Sequence, residues 1–328
     1  MDFDVITIGT ATRDAFVRSK EFKRKSSPIF LTGESLCLPL GEKIDVEDII
    51  FATGGGATNA AVTFSRQELN TACICKIGDD VSGKEVLQNL KQEGVATNFV
   101  IEDNNKKTAY SILLLSPNGE RTVLVYRGAS EYFKLADINL RTLSAKWFYV
   151  VGSIPLSVLN PVLDKAKEIN AKVAYNPSKS EIKTGLTGLG DVLKKLDVLL
   201  INREEGAYLT GIDYKKEDKI FKTLDGYVDG IVILTDGNKG ALISDGKSIF
   251  ESGIFKNQNV VDRTGAGDAF GSGFVAGLIE RNDVQYAIRL ASANATGVVE
   301  KMGAKDGILT KNQFIDDRRW QDFKIKVR

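Results

Sequence analysis

Two kinds of hydrophobic pattern alternate along this chain. Short apolar runs typical of buried strands occur at residues 5–9, 71–77, 147–151, 172–175, 198–201 and 231–235. Between them, apolar residues recur at helical spacing, which predicts helices at 60–69, 82–93, 155–170 and 191–196. Strands that alternate with helices form βαβ units, so the pattern predicts an α/β protein with a mostly parallel sheet covered by helices.

The segment 105–128 has a different pattern and predicts a small separate sheet. Two β-rich runs, 108–115 and 122–127, flank the sequence Pro-Asn-Gly-Glu at 117–120, and an Asn-Gly pair between such runs is typical of a hairpin. We expect the irregular segment of about 16–51 to join this hairpin in a β-sheet lid. Because the hairpin carries apolar residues on both faces, we expect one face to cover a ligand and the other to form a homodimer.

Composition narrows the classes of function. The 328 residues are 43% hydrophobic and 27% charged, with a formal net charge of +1, so neither a nucleic-acid nor a membrane partner is expected. The acidic, strand-like N-terminus and three cysteines without a disulfide framework predict a cytoplasmic protein. The chain contains no histidine. Acid–base chemistry therefore falls to Asp, Glu, Lys, Tyr or Cys, and Ser-His-Asp catalysis and histidine metal sites are excluded.

The stretch 260–277, VVDRTGAGDAFGSGFVAG, carries the most specific chemistry. It predicts the end of a strand at 260–261, a Gly-rich turn and then a helix, and the free backbone N–H groups of such a turn bind anions. Asp268 lies beside these amides, where its carboxylate repels a phosphate but suits a hydroxyl that must lose a proton. The hypothesis is phosphoryl transfer to an alcohol, with Asp268 as the base and the amides of Gly265, Ala266 and Gly267 as the anion site.

Two other interpretations of this stretch stay open at the level of the residues. Asp268 is also a favoured residue for stabilising the first turn of a helix. Gly265, Gly267 and Gly271 form a loose GxGxxxG, which suggests a dinucleotide site and an NAD-dependent dehydrogenase. That motif needs an acidic residue at the end of the next strand, about 20 residues on, and the chain continues instead into a small-residue helical stretch at 284–299.

Candidate acceptor-binding residues occur in the first third of the chain. Asp14 follows the first predicted strand, where loops of an open α/β sheet face the ligand crevice. The sequence TGGGATN at 53–59 precedes a helix, and Gly54, Gly55 and Gly56 permit close approach of a ligand or tight packing of the helix on the sheet. Asn59, one turn into the helix, is suited to a sugar hydroxyl.

Two later loops are candidates for the phosphate and nucleotide. Asn202 and Glu205 follow a predicted strand and suit a magnesium ion, which prefers few carboxylates and retains water. Gly237 and Gly240 follow the next strand and allow a nucleotide to lie on the backbone. A helix N-cap at Asn202 and an ordinary hairpin at 237–240 are the structural alternatives.

In this order, the motifs resemble those of the ribokinase-like (PfkB-type) carbohydrate kinase family. The resemblance runs from Val5 to about Ala304, and its most specific parts are TGGGATN at 53–59 and DRTGAGDAFGSGF at 262–274. Asn-Arg-Glu-Glu at 202–205 is similar to the family's NxxE motif, and 235–240 to its nucleotide loop. The resemblance implies a single kinase domain over residues 1–328, with a Rossmann-like three-layer α/β/α core and a β-lid.

The resemblance also implies roles, with ATP, Mg²⁺ and a monovalent cation such as K⁺ as cofactors. Asp268 corresponds to the catalytic base and Gly265–Gly267 to the anion site. Asp14, Gly55 and Asn59 correspond to sugar contacts. The other implied residues are Asn202 and Glu205 in the Mg²⁺–phosphate region, Thr235, Gly237 and Asn294 at the nucleotide, and Asp262 and Thr264 at the monovalent cation.

Several positions depart from ribokinase itself and leave the substrate open. Ribokinase has Asn-x-Asp where this chain has Thr12-Arg13-Asp14, and its acid after the strand at 147–151 is missing here. Arg263 suits the ATP phosphates or a charged substrate, and Arg127 resembles an arginine that meets a carboxylate in 2-keto-3-deoxygluconate kinases. Tyr110 offers an aromatic wall for a nucleoside. The expected function is phosphorylation of a hydroxymethyl group on a ribose- or fructose-like sugar; a nucleoside kinase, a 2-keto-3-deoxygluconate kinase and a non-catalytic sugar-binding member are the alternatives.

Overall fold

The centre of the molecule is a ten-stranded sheet. The structure is a computed structural model that describes residues 2–29, 34–115, 121–256 and 259–328. The parallel part of the sheet consists, in spatial order, of β7 (Ile101–Asp103), β6 (Thr71–Gly78), β1 (Phe3–Gly9), β10 (Ala145–Gly152), β11 (Lys172–Pro177), β12 (Val198–Asn202) and β13 (Ile231–Thr235). The antiparallel strands β14 (Ala241–Ser244), β15 (Ile249–Ser252) and β16 (Ile325–Val327) extend the β13 edge.

Helices cover both faces of this sheet. One layer consists of α1 (Gly56–Arg66), α2 (Val81–Gln92), α8 (Ala266–Arg281), α9 (Val284–Val299), α10 (Lys311–Asp316) and α11 (Arg318–Gln321), and the other of α3 (Leu156–Glu168), α4 (Lys179–Ile182), α5 (Gly185–Leu193), α6 (Arg203–Thr210) and α7 (Glu217–Asp225). Neighbouring strand residues alternate between the two cores: Val5 and Tyr149 pack with the first layer, Ile6 and Phe148 with the second. Burial on both faces explains the nearly continuous apolar strands, and the predicted three-layer α/β/α architecture is confirmed. No helix in the described ranges is long and apolar enough to cross a membrane.

A separate four-stranded sheet, the lid sheet, has the order β5 (Asp48–Gly54), β2 (Thr12–Arg18), β8 (Ala109–Leu115) and β9 (Arg121–Tyr126). β8 and β9 pair antiparallel, which confirms both strands of the predicted hairpin, whereas its turn at 116–120 lies outside the described residues. The register pairs Asp14 with Ser111 and Arg13 with Tyr110. Because side chains alternate along a strand, Asp14 and Tyr110 belong to opposite faces. A two-stranded sheet, β3 (Lys23–Ser26) and β4 (Glu34–Cys37), lies in the segment between β2 and β5.

Two local predictions were wrong. Val260 and Val261 do not end a strand: they lie in irregular chain after β15, where the Val261 N–H donates to the Val299 carbonyl at 2.8 Å. The helix predicted at 191–196 is α5, which begins at Gly185. Its glycine-rich first half has low helix propensity, but Leu189, Val192 and Leu193 are buried in the core, and that packing outweighs the propensity.

Candidate active site

The site is centred on the first turn of α8. Gly265 is the N-cap residue with φ 79°, a left-handed conformation, and a Cβ added there lies 2.5 Å from the Ala304 Cβ. Glycine is therefore needed for both the turn and the contact. The Ala269 N–H donates to the Gly265 carbonyl at 2.8 Å, whereas the amides of Ala266 and Gly267 precede the first regular helical bonds. Among the described residues the Gly267 N–H donates to no backbone carbonyl, so it is available to an anion; the Ala266 N–H makes a long 3.4 Å contact with the Arg263 carbonyl.

Asp268 meets the glycine-rich segment predicted to hold the acceptor. The Asn59 amide Nδ2 donates to Asp268 Oδ2 at 2.8 Å, although the two residues are 209 positions apart in the sequence. A Cβ at Gly56 lies 3.4 Å from Asp268 Oδ1 and 2.6 Å from Val151, so a side chain at this position crowds the site. The Asn59 carbonyl oxygen is buried and has no hydrogen-bond partner among the described residues. Burial raises the pKa of Asp268, against the effect of the Asn59 hydrogen bond.

Asp14 forms the second carboxylate of the site. It is buried, with 6% exposure, and accepts a hydrogen bond from Thr12 Oγ1 at 3.0 Å. A Cβ at Gly54 lies 2.1 Å from Asp14 Oδ2, so a side chain there would displace the carboxylate. Burial raises the pKa of Asp14, and hydrogen bonds from Thr12 and Ser111 act in the opposite direction. Gly55, between the two close contacts, is the N-cap residue of α1.

A cleft of about 450 Å³ opens on the other side of the α8 N-terminus. It is lined by four residues that the sequence suggested for the nucleotide: Thr235, Gly237, Gly240 and Arg263. Much of its apolar wall consists of residues that the sequence analysis missed: Ile254, Val260, Phe270, Ala295 and Val299. Gly237–Lys239 forms a turn between two antiparallel strands, so the hairpin and the cleft are the same feature. Val260, misassigned to a strand, owes its apolar character to this wall.

Asn202 and Glu205 stabilise the start of α6. Asn202 Oδ1 accepts from the Glu205 N–H at 2.9 Å, and Glu205 Oε2 accepts from the Asn202 N–H at 3.0 Å, which is the structural alternative foreseen for Asn202. Burial raises the pKa of Glu205, and the charges on Glu204 and Asp268 add to the rise. This local excess of negative charge fits a divalent cation held by one carboxylate and water, although the described residues contain no cluster of three or more metal-binding side chains.

Asp262 joins the loop before α8 to the chain near residue 303. Its Oδ1 accepts from the Thr264 N–H at 3.0 Å and from Thr264 Oγ1 at 2.8 Å, and its Oδ2 accepts from the Gly303 N–H at 3.2 Å. These bonds engage both carboxylate oxygens in holding the loop. A monovalent-cation site at Asp262 and Thr264 stays a prediction.

Of three further predicted site residues, one is tied into the core and two lie on or next to the lid sheet. Asn294 is fully buried: its Nδ2 donates to the Ala269 carbonyl at 2.9 Å and its Oδ1 accepts from the Leu309 N–H at 3.0 Å, so it ties helices together instead of meeting a base. Tyr110 lies on the face of the lid sheet opposite Asp14. Arg127 follows β9 and is exposed. Asn294 was expected at the nucleotide, but it is the next residue, Ala295, that lines the cleft.

Lys305 is a buried charged residue that the sequence analysis did not single out. It is 5% exposed, and its Nζ donates to Thr53 Oγ1 at 2.8 Å. Burial lowers the pKa of Lys305 to about 8, although the charge on Asp14 acts in the opposite direction. Its sequence context, Gly-Ala-Lys-Asp-Gly, is typical of an exposed loop and contains no signal of burial.

Comparison with known proteins identifies the family. The model of the pfkB family carbohydrate kinases matches residues 26–311. The chain belongs to this family. It is therefore a carbohydrate kinase, a phosphotransferase with an alcohol acceptor.

Relatives of this PfkB-family kinase include enzymes for different sugars. It is 28% identical over 285 residues to a ribokinase of Haemophilus influenzae, covering 84% of this chain and 90% of the relative. It is also 28% identical over 293 residues to a probable fructokinase of Arabidopsis thaliana, covering 82% and 88%. The solved structure of Arabidopsis thaliana ribokinase, complexed with ribose and ATP, superposes with a TM-score of 0.81 at 22% identity, covering 99% of this chain and all of that one. The last comparison confirms the ribokinase-like fold.

Proposed function

We propose that this kinase transfers the γ-phosphate of ATP to a hydroxymethyl group of a small neutral sugar of the ribose or fructose type, with Asp268 as the general base. One arrangement carries the proposal. Asp268 is held by Asn59 on the acceptor side, and the free amide of Gly267 lies beside it at the helix N-terminus. A base and an anion site thus adjoin one position, where an attacking hydroxyl meets a phosphate.

The donor side is the cleft that runs from Thr235 to the start of α8. Its apolar wall suits a nucleotide base, and the amides of Gly265, Ala266 and Gly267 lie where a γ-phosphate meets a helix N-terminus. The similar ribokinase that was solved with ribose and ATP supports this choice of donor. Asn202 and Glu205 would hold a magnesium ion, which when bound would neutralise part of the phosphate charge. We also propose that the kinase requires K⁺, bound at the loop that contains Asp262.

On the acceptor side, two residues besides Asp268 bind the sugar. Asp14 accepts hydrogen bonds from hydroxyl groups, and the unpaired Asn59 oxygen accepts another. Asp268 takes the proton from the attacking hydroxyl, while the backbone amides hold the charge on the phosphate. Closure of the lid sheet excludes water, so that ATP is not hydrolysed. Phosphoryl transfer passes through a loose transition state, so correct positioning contributes more than base strength.

The chemistry of this pocket favours a neutral polyol. Two carboxylates and a carbonyl acceptor are complementary to hydroxyl donors, and the same carboxylates repel an acidic or phosphorylated sugar. A 2-keto-3-deoxygluconate kinase relies on Arg127, which is exposed at the end of β9. A nucleoside kinase relies on an aromatic wall such as Tyr110, which lies on the other face of the lid sheet. Family membership removes the dehydrogenase alternative.

The experiment is ADP release from ATP·Mg²⁺ in a coupled assay with potassium present. The acceptors are ribose, fructose, 2-keto-3-deoxygluconate, fructose 6-phosphate, adenosine, cytidine and inosine, with Asp268→Asn as the inactive control. Turnover on ribose or fructose that is lost in the variant supports the proposal. Turnover confined to a nucleoside or a sugar acid would show that the substrate is of that class and not a neutral sugar. Binding of a sugar and ATP without turnover indicates the non-catalytic alternative.

We also propose that residues 1–328 act as one kinase domain and form a homodimer through the lid sheet. The face opposite Asp14 carries Phe51, Leu124 and Tyr126, which are 50–52% exposed. An apolar surface of this kind is typical of an interface with another protein, and the two-fold symmetry of a homodimer pairs it with itself. Localisation in the cytoplasm stays a prediction.

A further inference from the structure

Lys305 lies where its charge reaches both carboxylates of the site. Its Nζ donates to Thr53 Oγ1 at 2.8 Å, and Thr53 Oγ1 in turn donates to Asn89 Oδ1 at 2.8 Å. Because the Thr53 hydroxyl donates its proton to Asn89, it can only accept from Lys305, which is therefore the donor. Thr53 precedes Gly54, whose missing side chain makes room for the Asp14 carboxylate. The charge on Lys305 lowers the pKa of Asp14 and that of Asp268, against the dominant effect of burial.

The other cations near this group are already paired with acids. Arg13 Nε lies 2.8 Å from Glu85 Oε2, and Arg66 Nη2 lies 2.6 Å from Glu93 Oε1. Lys305 has no carboxylate within ion-pair distance in the described part of the chain. It therefore compensates Asp14 and Asp268 through space and not through a direct bond.

Other titratable groups from the surrounding elements face Lys305. Cys73 and Cys75 of β6 are buried, and the hydrogen bond that the Cys75 thiol donates to Cys73, with burial, raises the pKa of Cys75. Glu93, which follows α2, acts on Lys305 more weakly than Asp14 and the thiols do, and it is paired with Arg66. On the Asp268 side, burial and the Asp268 charge raise the pKa of Tyr149 well above its ordinary value. The tyrosine therefore stays protonated and uncharged. Arg13 also lowers the pKa of Asp14, though less than Lys305 does, and Lys305 is the cation that acts on both carboxylates.

We propose that Lys305 is a positioning residue that keeps Asp14 and Asp268 ionised together in the closed site. The inference rests on the proposed function, because ionisation of both groups matters only if one binds hydroxyls and the other accepts a proton. Without the ammonium group, burial raises the pKa of each carboxylate further, and the charge on Asp14 adds to the rise at Asp268, so a larger share of both groups is protonated. Sugar binding or proton transfer then fails in part of the molecules.

The test compares Lys305→Met with wild type and with Lys301→Met, a matched change at an exposed lysine. We expect the acid limb of the kcat/KM profile of Lys305→Met to move to higher pH, because loss of the ammonium group raises the carboxylate pKa. At the low-pH end of that limb, kcat/KM should fall severalfold, up to roughly tenfold, relative to wild type. The defect shrinks toward pH 9, where the carboxylates of both proteins are ionised. Lys301→Met shows the wild-type pH profile. An unchanged acid limb in Lys305→Met overturns the inference.

A stability measurement keeps the inference testable without turnover. The pKa of Lys305, about 8, lies below that of an unfolded lysine, so its burial as a cation opposes folding below pH 8, and this penalty disappears as the pH rises toward 10. We expect the Tm of Lys305→Met to equal or exceed that of wild type at pH 7, with the difference narrowing by pH 10. A lower Tm at every pH marks a structural lysine and refutes the inference. If wild type turns over no acceptor, the proposed function fails, and the Tm comparison still shows whether Lys305 is a structural residue.

Discussion

Replacement of Asp268 by Asn tests the proposed chemistry most directly. The side chains have nearly the same shape, and the Asn59 Nδ2 bond at 2.8 Å persists if the new carbonyl oxygen occupies the position of Oδ2. The new NH₂ group then points to the other side, where Oδ1 lay close to Gly56. A hydrogen-bond donor replaces the acceptor that the sugar hydroxyl needs. The variant therefore loses the base without losing the shape of the site.

The expected loss in kcat is about 10²–10⁴-fold, the usual contribution of a general base. This corresponds to about 3–5 kcal/mol of transition-state stabilisation. The stability of the folded protein should increase in Asp268→Asn, although its activity falls. Because burial raises the pKa of Asp268 above its unfolded value, the ionised carboxylate opposes folding at neutral pH, and a neutral Asn removes that penalty. ATP affinity should stay the same or increase, because a negative charge beside the γ-phosphate is gone.

Three measurements on one preparation check these expectations: steady-state kinetics on the accepted sugar, calorimetric Kd for ATP·Mg²⁺, and Tm. We expect Asp268→Asn to show a low kcat together with an ATP affinity and a Tm at least as high as those of wild type. A variant that retains more than a tenth of wild-type kcat refutes the assignment of the base. A variant with weakened ATP binding and a reduced Tm indicates a capping role for Asp268 instead.

Three further changes test the acceptor pocket, the nucleotide cleft and the lid sheet. Asp14→Asn should raise KM for the sugar about 10- to 100-fold, the range expected for a hydrogen bond to a charged group, with ATP affinity unchanged; an unchanged KM contradicts its role. Ala295→Phe should fill the cleft and raise KM for ATP about tenfold or more, whereas the smaller change Ala295→Ser should be tolerated and serves as the control. A normal KM for ATP in Ala295→Phe would show that the nucleotide does not bind in this cleft. Leu124→Glu should convert a dimeric wild type to a monomer in sedimentation equilibrium, and a monomeric wild type removes the proposed interface.

The predictable part of the site is the part in which local geometry demands a residue type. Gly265 needs a left-handed conformation and contact with Ala304, and Gly54 adjoins Asp14 so closely that a side chain there would displace the carboxylate. Such demands leave Gly-rich motifs in the sequence. The apolar alternation predicted the sheet because its strands are buried on both faces. These features are local, so a single sequence carries them.

The remaining part depends on contacts between distant segments. Val260 is apolar because it lines a cleft, and periodicity cannot separate this cause from a buried strand. Asn294 lies one residue from a cleft-lining alanine, and the direction in which each side chain points depends on how α9 packs against α8. Lys305 is buried because its loop packs beside Thr53, 252 positions away in the sequence. Neither composition nor spacing encodes these contacts.

The absence of histidine restricts how this kinase can obtain a base. A carboxylate is a weak base, and burial strengthens it only by raising its pKa, which also favours the inactive protonated form. A loose transition state lowers the demand on base strength, because the proton leaves the hydroxyl late. The site then gains most from holding its groups in place: the Asn59 bond fixes Asp268, and the contact of Gly265 with Ala304 fixes the amides. A buried cation such as Lys305 completes this solution, since it keeps the carboxylate ionised without a histidine.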